Sequence, residues 1–258
     1  MRHIADDFTT MVKRSSDPGK SGLYSSQKII IRKILDESRR LKKKLGTYYW
    51  DMHSKIEFLR SCPTGSRVLD VGCGNNSPKI FKTLRPDFYY IGIDVADYKQ
   101  DTDPNSIADE YIISSVEDFN IHIESMAASF DAVVSSHNIE HCDDPDRTLA
   151  AMLAAVRPGG RIFLAIPCEA STRFPRRKGT LNFFDDPTHK RVPNYDAICA
   201  AIAAHGFSID VAHKRYRPLV RAIKGLMAEP RGMLCGTRIP ETWALYGFET
   251  IIWASRPT

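Results

Sequence analysis

The stretch Val68-Leu-Asp-Val-Gly-Cys-Gly-Asn-Asn76 decides the fold, because an apolar run ends there at two glycines that are one residue apart. Its aliphatic residues are typical of a buried strand. Gly72 and Gly74 permit a tight turn in which a ligand can approach the backbone. We expect Ser77 to cap a helix whose first residue is Pro78, since proline loses no needed hydrogen bond at that position. The stretch therefore predicts a strand, a glycine turn and a helix, with a ligand site at the turn.

Length and composition indicate a globular protein. The 258 residues are 43% apolar, which is enough for a substantial core. No run of about 18 apolar residues is present, so we expect no membrane span. Residues 1–20 are polar and lack the apolar segment of a secretory signal, which indicates a cytoplasmic protein. The six scattered cysteines form no Cys-x-x-Cys pair, which argues against a zinc ribbon and a disulfide framework and favours reduced thiols.

The formal net charge of +5 is mild, and much of it lies in two basic runs. These runs are Arg39-Arg40-Leu41-Lys42-Lys43-Lys44 and residues 173–178. A basic run is more often a solvated face than a nucleic-acid contact. Binding of nucleic acid is therefore disfavoured, and the two runs are the feature that keeps it as an alternative.

The order of predicted elements indicates a doubly wound α/β fold. We expect a flexible arm at residues 1–22, N-terminal helices at 23–62 and a main domain at 63–258. Strands alternate with helical segments in the main domain, which predicts a mostly parallel sheet with right-handed crossovers. Two inserts, at 167–193 and 216–246, interrupt this alternation. The first insert follows the end of a strand, where open sheets bind ligands, and we expect it to act as a lid.

Hydrophobic periodicity and turn residues predict where the elements begin and end. The predicted strands are 68–71, 89–93, 111–113, 130–135, 161–166, 207–211 and 248–254. The predicted helices, besides the one after the glycine turn, are 26–45, 51–61, 145–156, 194–204 and 219–227.

Charge around the glycine turn distinguishes between adenine cofactors. A dinucleotide site has the pattern Gly-x-Gly-x-x-Gly, and Ser77 stands at the third glycine position. We expect the Asp70 carboxylate at the mouth of the site, where it would repel a pyrophosphate and suit a cofactor with an ammonium and a sulfonium. Asp94 ends the next strand, where it can accept both ribose hydroxyls or cap its own loop. The residues favour a cationic adenosyl ligand over NAD.

Five motifs in order resemble the class I S-adenosylmethionine-dependent methyltransferases. They are the glycine stretch from Val68, Ile93-Asp94, Ser115-Val-Glu-Asp-Phe119, Phe130-Asp-Ala-Val-Val-Ser-Ser136, and Leu153 to Ile166 with Arg157-Pro-Gly-Gly160. The resemblance covers about residues 65 to 212. It implies a Rossmann-like sheet of seven strands whose last strand is antiparallel, and it implies S-adenosylmethionine as cofactor.

The same resemblance implies which residues surround the cofactor. The methionine part would be held by Asp70, Gly72, Cys73 and Gly74. The ribose and adenine would be held by Asp94, Val95, Val116 and Glu117. Ser136 and His137 would lie beneath the sulfonium. Ser115 is a departure, because the family often has aspartate there for the adenine amino group.

The segment His137-Asn-Ile-Glu-His141 matches the His-x-x-Glu-His pattern of one class of zinc peptidases. That pattern requires a helix, a third ligand and an open coordination position. Here the segment follows a predicted strand directly, so we expect no metal ligand. The methyltransferases commonly have a Glu-His pair in this loop, where it has a structural role.

Histidines are the candidate catalytic residues. Methyl transfer from a sulfonium mainly requires alignment of the attacking atom, but a hydroxyl acceptor also requires a base near neutral pKa. We expect His189 to be that base, oriented by Asp185 or Asp186, with a hydrogen bond to backbone as the alternative role. His137 is a second candidate that would line the acceptor pocket, and His141 is assigned to structure.

The acceptor is predicted from the first insert. Phe183 to His189 is similar to a segment of bacterial methyltransferases that act on sugars or other small metabolites. Four cations nearby are expected to bind a phosphate or carboxylate of the acceptor: Arg173, Arg176, Arg177 and Lys178. We therefore expect O-methylation of a small molecule, a sugar or glycan precursor.

Two further functions stay open at this point. An RNA methyltransferase is motivated by the basic runs, although the chain lacks the Asn/Asp-Pro-Pro-Tyr/Phe motif of enzymes that methylate amino groups of nucleic acids. A non-catalytic module that keeps the cofactor pocket is the second alternative.

Overall fold

The computed structural model describes residues 52–258, and these residues build one seven-stranded sheet. The strands are β1 (Arg67–Val71), β2 (Tyr89–Asp94), β3 (Glu110–Ile113), β4 (Phe130–Ser136), β5 (Val156–Pro167), β6 (Ser208–His213) and β7 (Glu249–Ser255). Their spatial order is β3-β2-β1-β4-β5-β7-β6. Strand β7 is antiparallel to both neighbours, and the other pairs are parallel. The predicted doubly wound sheet with an antiparallel last strand is confirmed.

Seven α-helices lie within residues 52–258. They are α1 (Lys55–Ser61), α2 (Ser77–Leu84), α3 (Phe119–Ser125), α4 (Pro145–Ala155), α5 (Tyr195–Ala204), α6 (Leu219–Cys235) and α7 (Thr242–Tyr246). In this part of the chain no helix is both long enough and apolar enough to cross a bilayer. The cytoplasmic location stays a prediction. The predicted arm at 1–22, the helix at 26–45 and the basic run at 39–44 lie outside the described residues.

Several element boundaries differ from prediction for physical reasons. Strand β5 begins at Val156 instead of 161, because Val156 pairs with Phe130 before the register of the two strands shifts. The predicted helix 51–61 begins at Lys55, where the Ser54 side chain accepts a hydrogen bond from the Glu57 backbone. Helix α6 continues past the predicted end at 227, because its second half packs against the first insert.

The core covers both faces of the sheet. Leu69 and Val133 belong to one buried cluster, while Val68 and Val134 belong to another. Neighbouring residues of one strand point to opposite faces, so β1 and β4 are buried on both sides. This burial explains why their sequences read as nearly continuous apolar runs.

The start of α2 corrects the expected role of Ser77. Asn76, with a φ of 59°, is the N-cap residue, and its side chain makes no capping hydrogen bond. The Ser77 hydroxyl lies within the helix and donates to the Asp70 carboxylate at 2.5 Å. Even a neutral polar group costs about 2–7 kcal/mol when it is buried without a hydrogen bond, and a carboxylate costs more, so the hydroxyl is used there instead of at the helix end.

The two inserts are joined by a buried ion pair. The Arg177 guanidinium donates to both carboxylate oxygens of Glu229 in α6, at 2.9 and 2.6 Å. Arg177 is 7% exposed and Glu229 is 9% exposed. The Tyr246 hydroxyl donates to the same carboxylate at 2.6 Å. The ion pair thus links the first insert to the second. The expectation that Arg177 binds the acceptor is wrong, because its guanidinium is already paired with Glu229.

Replacement of Glu229 tests this fastening. The change Glu229→Gln leaves a buried guanidinium without its counter-charge and should reduce the free energy of unfolding by about 3–5 kcal/mol. The measurement is urea denaturation at pH 7. Since the hydrogen bonds from Arg177 lower the pKa of Glu229, the pair stabilises the fold above the unfolded-state pKa and its contribution is lost as the pH falls through the folded-state value.

The matched control is Glu124→Gln, which removes an exposed pair with Arg147 and should cost about 0–1 kcal/mol. The double variant Arg177→Met with Glu229→Leu should recover most of the loss, because neither buried charge remains. Equal costs for Glu229→Gln and Glu124→Gln would contradict a fastening role for the pair.

Candidate functional site

The glycine turn lies at the point where the order of the sheet reverses. Strand β1 is flanked by β2 on one side and β4 on the other, and open sheets bind ligands at such a position. Gly72 has a φ of +80°, and a Cβ there would lie 2.6 Å from the Asn138 Cβ. A Cβ on Gly74 would lie 3.1 Å from the Tyr98 ring. Glycine is therefore required at 72 by backbone conformation and by close approach.

Asp70 and Cys73 support the turn from within the core. The Asp70 side chain is 1% exposed and accepts hydrogen bonds from Ser77 at 2.5 Å and from Tyr90 at 2.8 Å. Burial raises the pKa of Asp70, and the two hydroxyls oppose that rise. Cys73 is fully buried with its sulfur against Gly92. The structure corrects the expectation that the Asp70 carboxylate stands at the mouth of the site.

Asp94 is at the end of β2, with its side chain partly exposed. Burial raises the pKa of Asp94, while hydrogen bonds from the backbone N–H groups of Val95, Gly74 and Ala96 lower it. The hydrogen bond from the Val95 backbone is 2.7 Å long. The carboxylate thus caps its own loop, which is the alternative role that the sequence left open, and it still reaches solvent.

A cavity of about 390 Å³ opens beside this edge of the sheet. Its lining includes Val95 and Val116, which are 44% and 52% exposed. It also includes polar and charged side chains, among them Asn138, Arg147 and Lys190. The cavity therefore offers both apolar surface and polar groups to a ligand.

His137 lies between two carboxylates. Its Nδ1 is 3.1 Å from Glu140 Oε1 and its Nε2 is 3.1 Å from Glu249 Oε1. Carboxylates only accept, so both ring nitrogens must donate and the ring is an imidazolium. Burial lowers the pKa of His137, but the hydrogen bonds to Glu140 and Glu249 outweigh it and raise the pKa to about 9. His137 has no lone pair with which to take a proton at neutral pH, which corrects its assignment as a second base.

Within residues 52–258, His189, unlike His137, has a hydrogen-bond acceptor at only one of its ring nitrogens. Its Nδ1 is 2.6 Å from the Phe183 carbonyl oxygen, which can only accept, so Nδ1 carries the proton and Nε2 keeps a lone pair. Asp185 instead accepts from the backbone of the insert, and Asp186 accepts from Thr188. The expectation that one of these aspartates orients His189 is therefore wrong, and a backbone carbonyl does so. Its ring centroid is 4.8 Å from that of His141.

The remaining predicted residues are placed in different ways. Ser136 ends β4, partly exposed, and pairs with Ala165 of β5. Glu117 is exposed at the rim of the cavity. Sequence reasoning missed Asn138 and Lys190 as cavity residues, although Asn138 lies two residues past the end of β4, where ligand contacts concentrate. No local sequence pattern indicates Lys190, because its position depends on how the insert folds back.

Comparison with known proteins identifies a family. A family model described as "Methyltransferase domain" matches residues 44–211. A ubiquinone biosynthesis O-methyltransferase of Xanthomonas axonopodis pv. citri (strain 306) is 30% identical over 121 residues, which is 40% of this chain and 44% of that protein. The chain thus spans less than half the length of this relative. A tRNA (carboxymethyluridine(34)-5-O)-methyltransferase of Schizosaccharomyces pombe (strain 972) is 26% identical over 69% of this chain and 79% of that protein.

Solved structures share the fold. A putative methyltransferase in complex with the Haloferax volcanii Trm112 methyltransferase activator matches with a TM-score of 0.56 and 15% identity, over 86% of this chain and 95% of that chain. An S-adenosylmethionine-dependent methyltransferase from Mesorhizobium loti matches with a TM-score of 0.54 and 16% identity, over 78% and 95%. At these identities the likeness concerns the fold alone.

The pKa of His137 can be measured directly. NMR titration of the imidazole should give a pKa near 9, against about 6.5 for an unperturbed histidine. Because the folded-state pKa is the higher one, the stabilisation is fully present below about 6.5 and is lost as the pH rises through about 9. Urea denaturation from pH 5.5 to 10 should show this loss in the wild type.

The variant His137→Gln is the control, since it lacks the titrating group and should show no such loss of stability over the same pH range. An imidazole that titrates near its ordinary pKa would show that the two carboxylates do not hold the ring as an imidazolium.

Proposed function

The chain belongs to the class I S-adenosylmethionine-dependent methyltransferases, and from this premise we propose that it methylates a hydroxyl of a small polar acceptor, a sugar or glycan precursor. The observation that carries the proposal is the cavity at the switch point of the sheet, whose lining combines apolar and polar side chains. The apolar side chains suit a cofactor base, and the polar ones offer hydrogen-bonding and charged groups to a hydroxylated acceptor.

The residues present fit the cofactor. Val95 and Val116 expose apolar surface on the cavity wall, which suits the faces of an adenine ring. Asp94 has a partly exposed carboxylate at the end of β2, where it can accept ribose hydroxyls. Gly72, Gly74 and the backbone of Cys73 form the turn beside the methionine part, with Asp70 beneath it. When bound, S-adenosylmethionine supplies the methyl group and a neutral thioether as leaving group.

The chain's own residues orient the acceptor and handle its proton. Asn138 and Lys190, which both line the cavity, can hold acceptor hydroxyls by hydrogen bonds. His189, with Nδ1 donated to the Phe183 carbonyl, has its Nε2 lone pair free to take the hydroxyl proton as general base. Alignment of the acceptor by these residues supplies most of the rate enhancement.

RNA methylation is the second candidate, supported by the tRNA methyltransferase relative that covers most of the chain. The basic run at 173–178 supports it less than the sequence suggested, because Arg177 is buried against Glu229. A non-catalytic module with a retained cofactor pocket would bind the cofactor without turnover. Both alternatives are outcomes of the experiments below.

Cofactor choice is tested by thermal denaturation and calorimetry. At 100 times its dissociation constant, S-adenosylhomocysteine should stabilise the fold by about 2.7 kcal/mol, whereas NAD at the same concentration should not. The change Asp94→Ala removes the ribose acceptor and should weaken binding of the adenosyl compound by more than tenfold, about 1.4 kcal/mol. The control Asp196→Ala alters an exposed acid in α5 and should leave binding unchanged.

Stabilisation by NAD alone would contradict the proposed cofactor. Equal affinities in Asp94→Ala and Asp196→Ala would show that Asp94 only caps its loop.

The acceptor and the base are tested by transfer of a labelled methyl group. With hydroxylated sugars and sugar phosphates as acceptors, the variant His189→Gln should lower kcat by about 10²- to 10⁴-fold at pH 7. The control His205→Gln alters an exposed histidine at the end of α5 and should leave kcat unchanged. Label that enters only ribonuclease-sensitive material would favour the RNA candidate, and unchanged kcat in His189→Gln would exclude His189 as base.

A further inference from the structure

Three potential metal ligands come together beside the cavity, and one of them, His141, lines it. Glu140 and His141 lie in a single 3₁₀ turn, Ile139–His141, directly after β4. His189 comes from the first insert, whose end is held beside this turn by the Lys190 backbone N–H, which donates to the Glu140 carbonyl at 2.8 Å. One carboxylate oxygen and one nitrogen of each imidazole all lie within 4.8 Å of one another. Two elements far apart in the sequence thus contribute one donor set.

Glu140 carries a buried oxygen that lacks a partner. The side chain is 0% exposed, and its Oε1 faces Nδ1 of His137 at 3.1 Å. Its Oε2 has no hydrogen-bond partner among the described residues. Buried carboxylate oxygens are normally paired, because an unpaired one loses hydration without compensation. The free Oε2 is therefore an independent sign that a cation belongs beside it.

Hydrogen bonds hold both histidines in the tautomer that a metal requires. The Thr188 hydroxyl donates to Asp186 at 2.6 Å, so its oxygen accepts from Nδ1–H of His141 at 2.9 Å. His189 donates its own Nδ1–H to the Phe183 carbonyl at 2.6 Å. Each ring keeps its lone pair on Nε2. Such outer hydrogen bonds to Nδ1 are the usual way in which proteins orient histidine ligands.

We propose that Glu140, His141 and His189 bind a divalent transition-metal ion of the Zn²⁺ type. Two imidazoles and one carboxylate suit Zn²⁺, Co²⁺ or Fe²⁺ better than Mg²⁺ or Ca²⁺, which prefer oxygen ligands. Ligands at about 2.0–2.1 Å from a tetrahedral ion are about 3.3 Å apart, so the present cluster closes by at most about 1.5 Å on binding. His141 and His189 are partly exposed and have room for this movement. The expectation of no metal ligand is revised accordingly.

The fourth coordination position gives the site a role in the reaction, and this role rests on the proposed function. His141 lines the cavity, so three protein ligands leave an open position toward the acceptor. An acceptor hydroxyl bound there has its pKa lowered and releases its proton to solvent. Its oxygen then forms a bond to the methyl carbon as the carbon–sulfur bond breaks and the electron pair stays on sulfur. Acceptors with two adjacent oxygens fit best, because the ion can expand to five ligands.

A metal-bound His189 cannot also be the base, since both roles use the lone pair on Nε2. The ion-loaded protein therefore activates the acceptor through the ion, whereas the chelated protein has only His189 as base and should transfer the methyl group more slowly. Measuring methyl transfer before and after chelation therefore distinguishes activation by the ion from general-base catalysis by His189.

The site is tested on the full-length protein after treatment with EDTA. Titration with Co²⁺ should give the absorption spectrum of a low-coordinate site at one equivalent, and Zn²⁺ should displace it in calorimetry. The variants Glu140→Gln and His141→Gln should each weaken Zn²⁺ binding by more than about tenfold. His141→Gln keeps the contact between Glu140 and His137, so it tests the site even if Glu140→Gln disturbs the fold. The control His205→Gln should bind as the wild type does.

Equal Zn²⁺ affinity in His141→Gln, His205→Gln and the wild type would overturn the site. Full methyl transfer by the chelated enzyme would overturn the role of the ion in catalysis and leave the proposed function intact. Absence of S-adenosylhomocysteine binding by a protein that binds Zn²⁺ would instead overturn the proposed function and leave the metal site intact.

Discussion

The structure depends on the buried carboxylate of Asp70. A charge in the core needs hydrogen-bond donors, and here they come from Ser77 in α2 and Tyr90 in β2. These two elements enclose the glycine turn, so one interaction fixes the strand before the turn, the helix after it and the neighbouring strand. The cavity, which Val95 and Asn138 line, lies beside this turn, and Asn138 packs directly against Gly72. An acidic residue that looks like a ligand in the sequence therefore acts first as the anchor of the site.

Two histidines acquire opposite chemistry from their hydrogen-bond partners. His137 faces a carboxylate at each nitrogen and is held as a cation, whereas His189 faces a backbone carbonyl and keeps a lone pair. One of the carboxylates on His137 belongs to Glu249, which is 112 residues away in the chain. The protonation state of a candidate base is thus a property of the tertiary structure, and no spacing within a loop reveals it.

The sequence predicts those parts of the fold that depend on local patterns. Apolar runs, the glycine turn and the order of strands and helices determined the sheet correctly, because strands buried on both faces have a strong signal. The joining of the inserts by Arg177 and Glu229 was not predicted, since a basic run looks solvated until its partner in another insert is known. The segment from His137 to His141 was expected to lie outside a helix, and Glu140 and His141 do lie in a 3₁₀ turn after β4. That His189 lies beside them could not be predicted, because it depends on how the insert folds back.

The position of β7 has a consequence for how the chain is made. This strand lies between β5 and β6 in the sheet, although it follows both in the sequence. During synthesis on the ribosome, β5 and β6 emerge with unpaired edges that only β7 can later cover. The nascent chain must therefore keep two open strands apart until β7 inserts between them, and Glu249 reaches His137 only at that moment. Because β7 follows β5 and β6 in the sequence, the edges of these two strands are exposed to incorrect pairing until β7 has been synthesised.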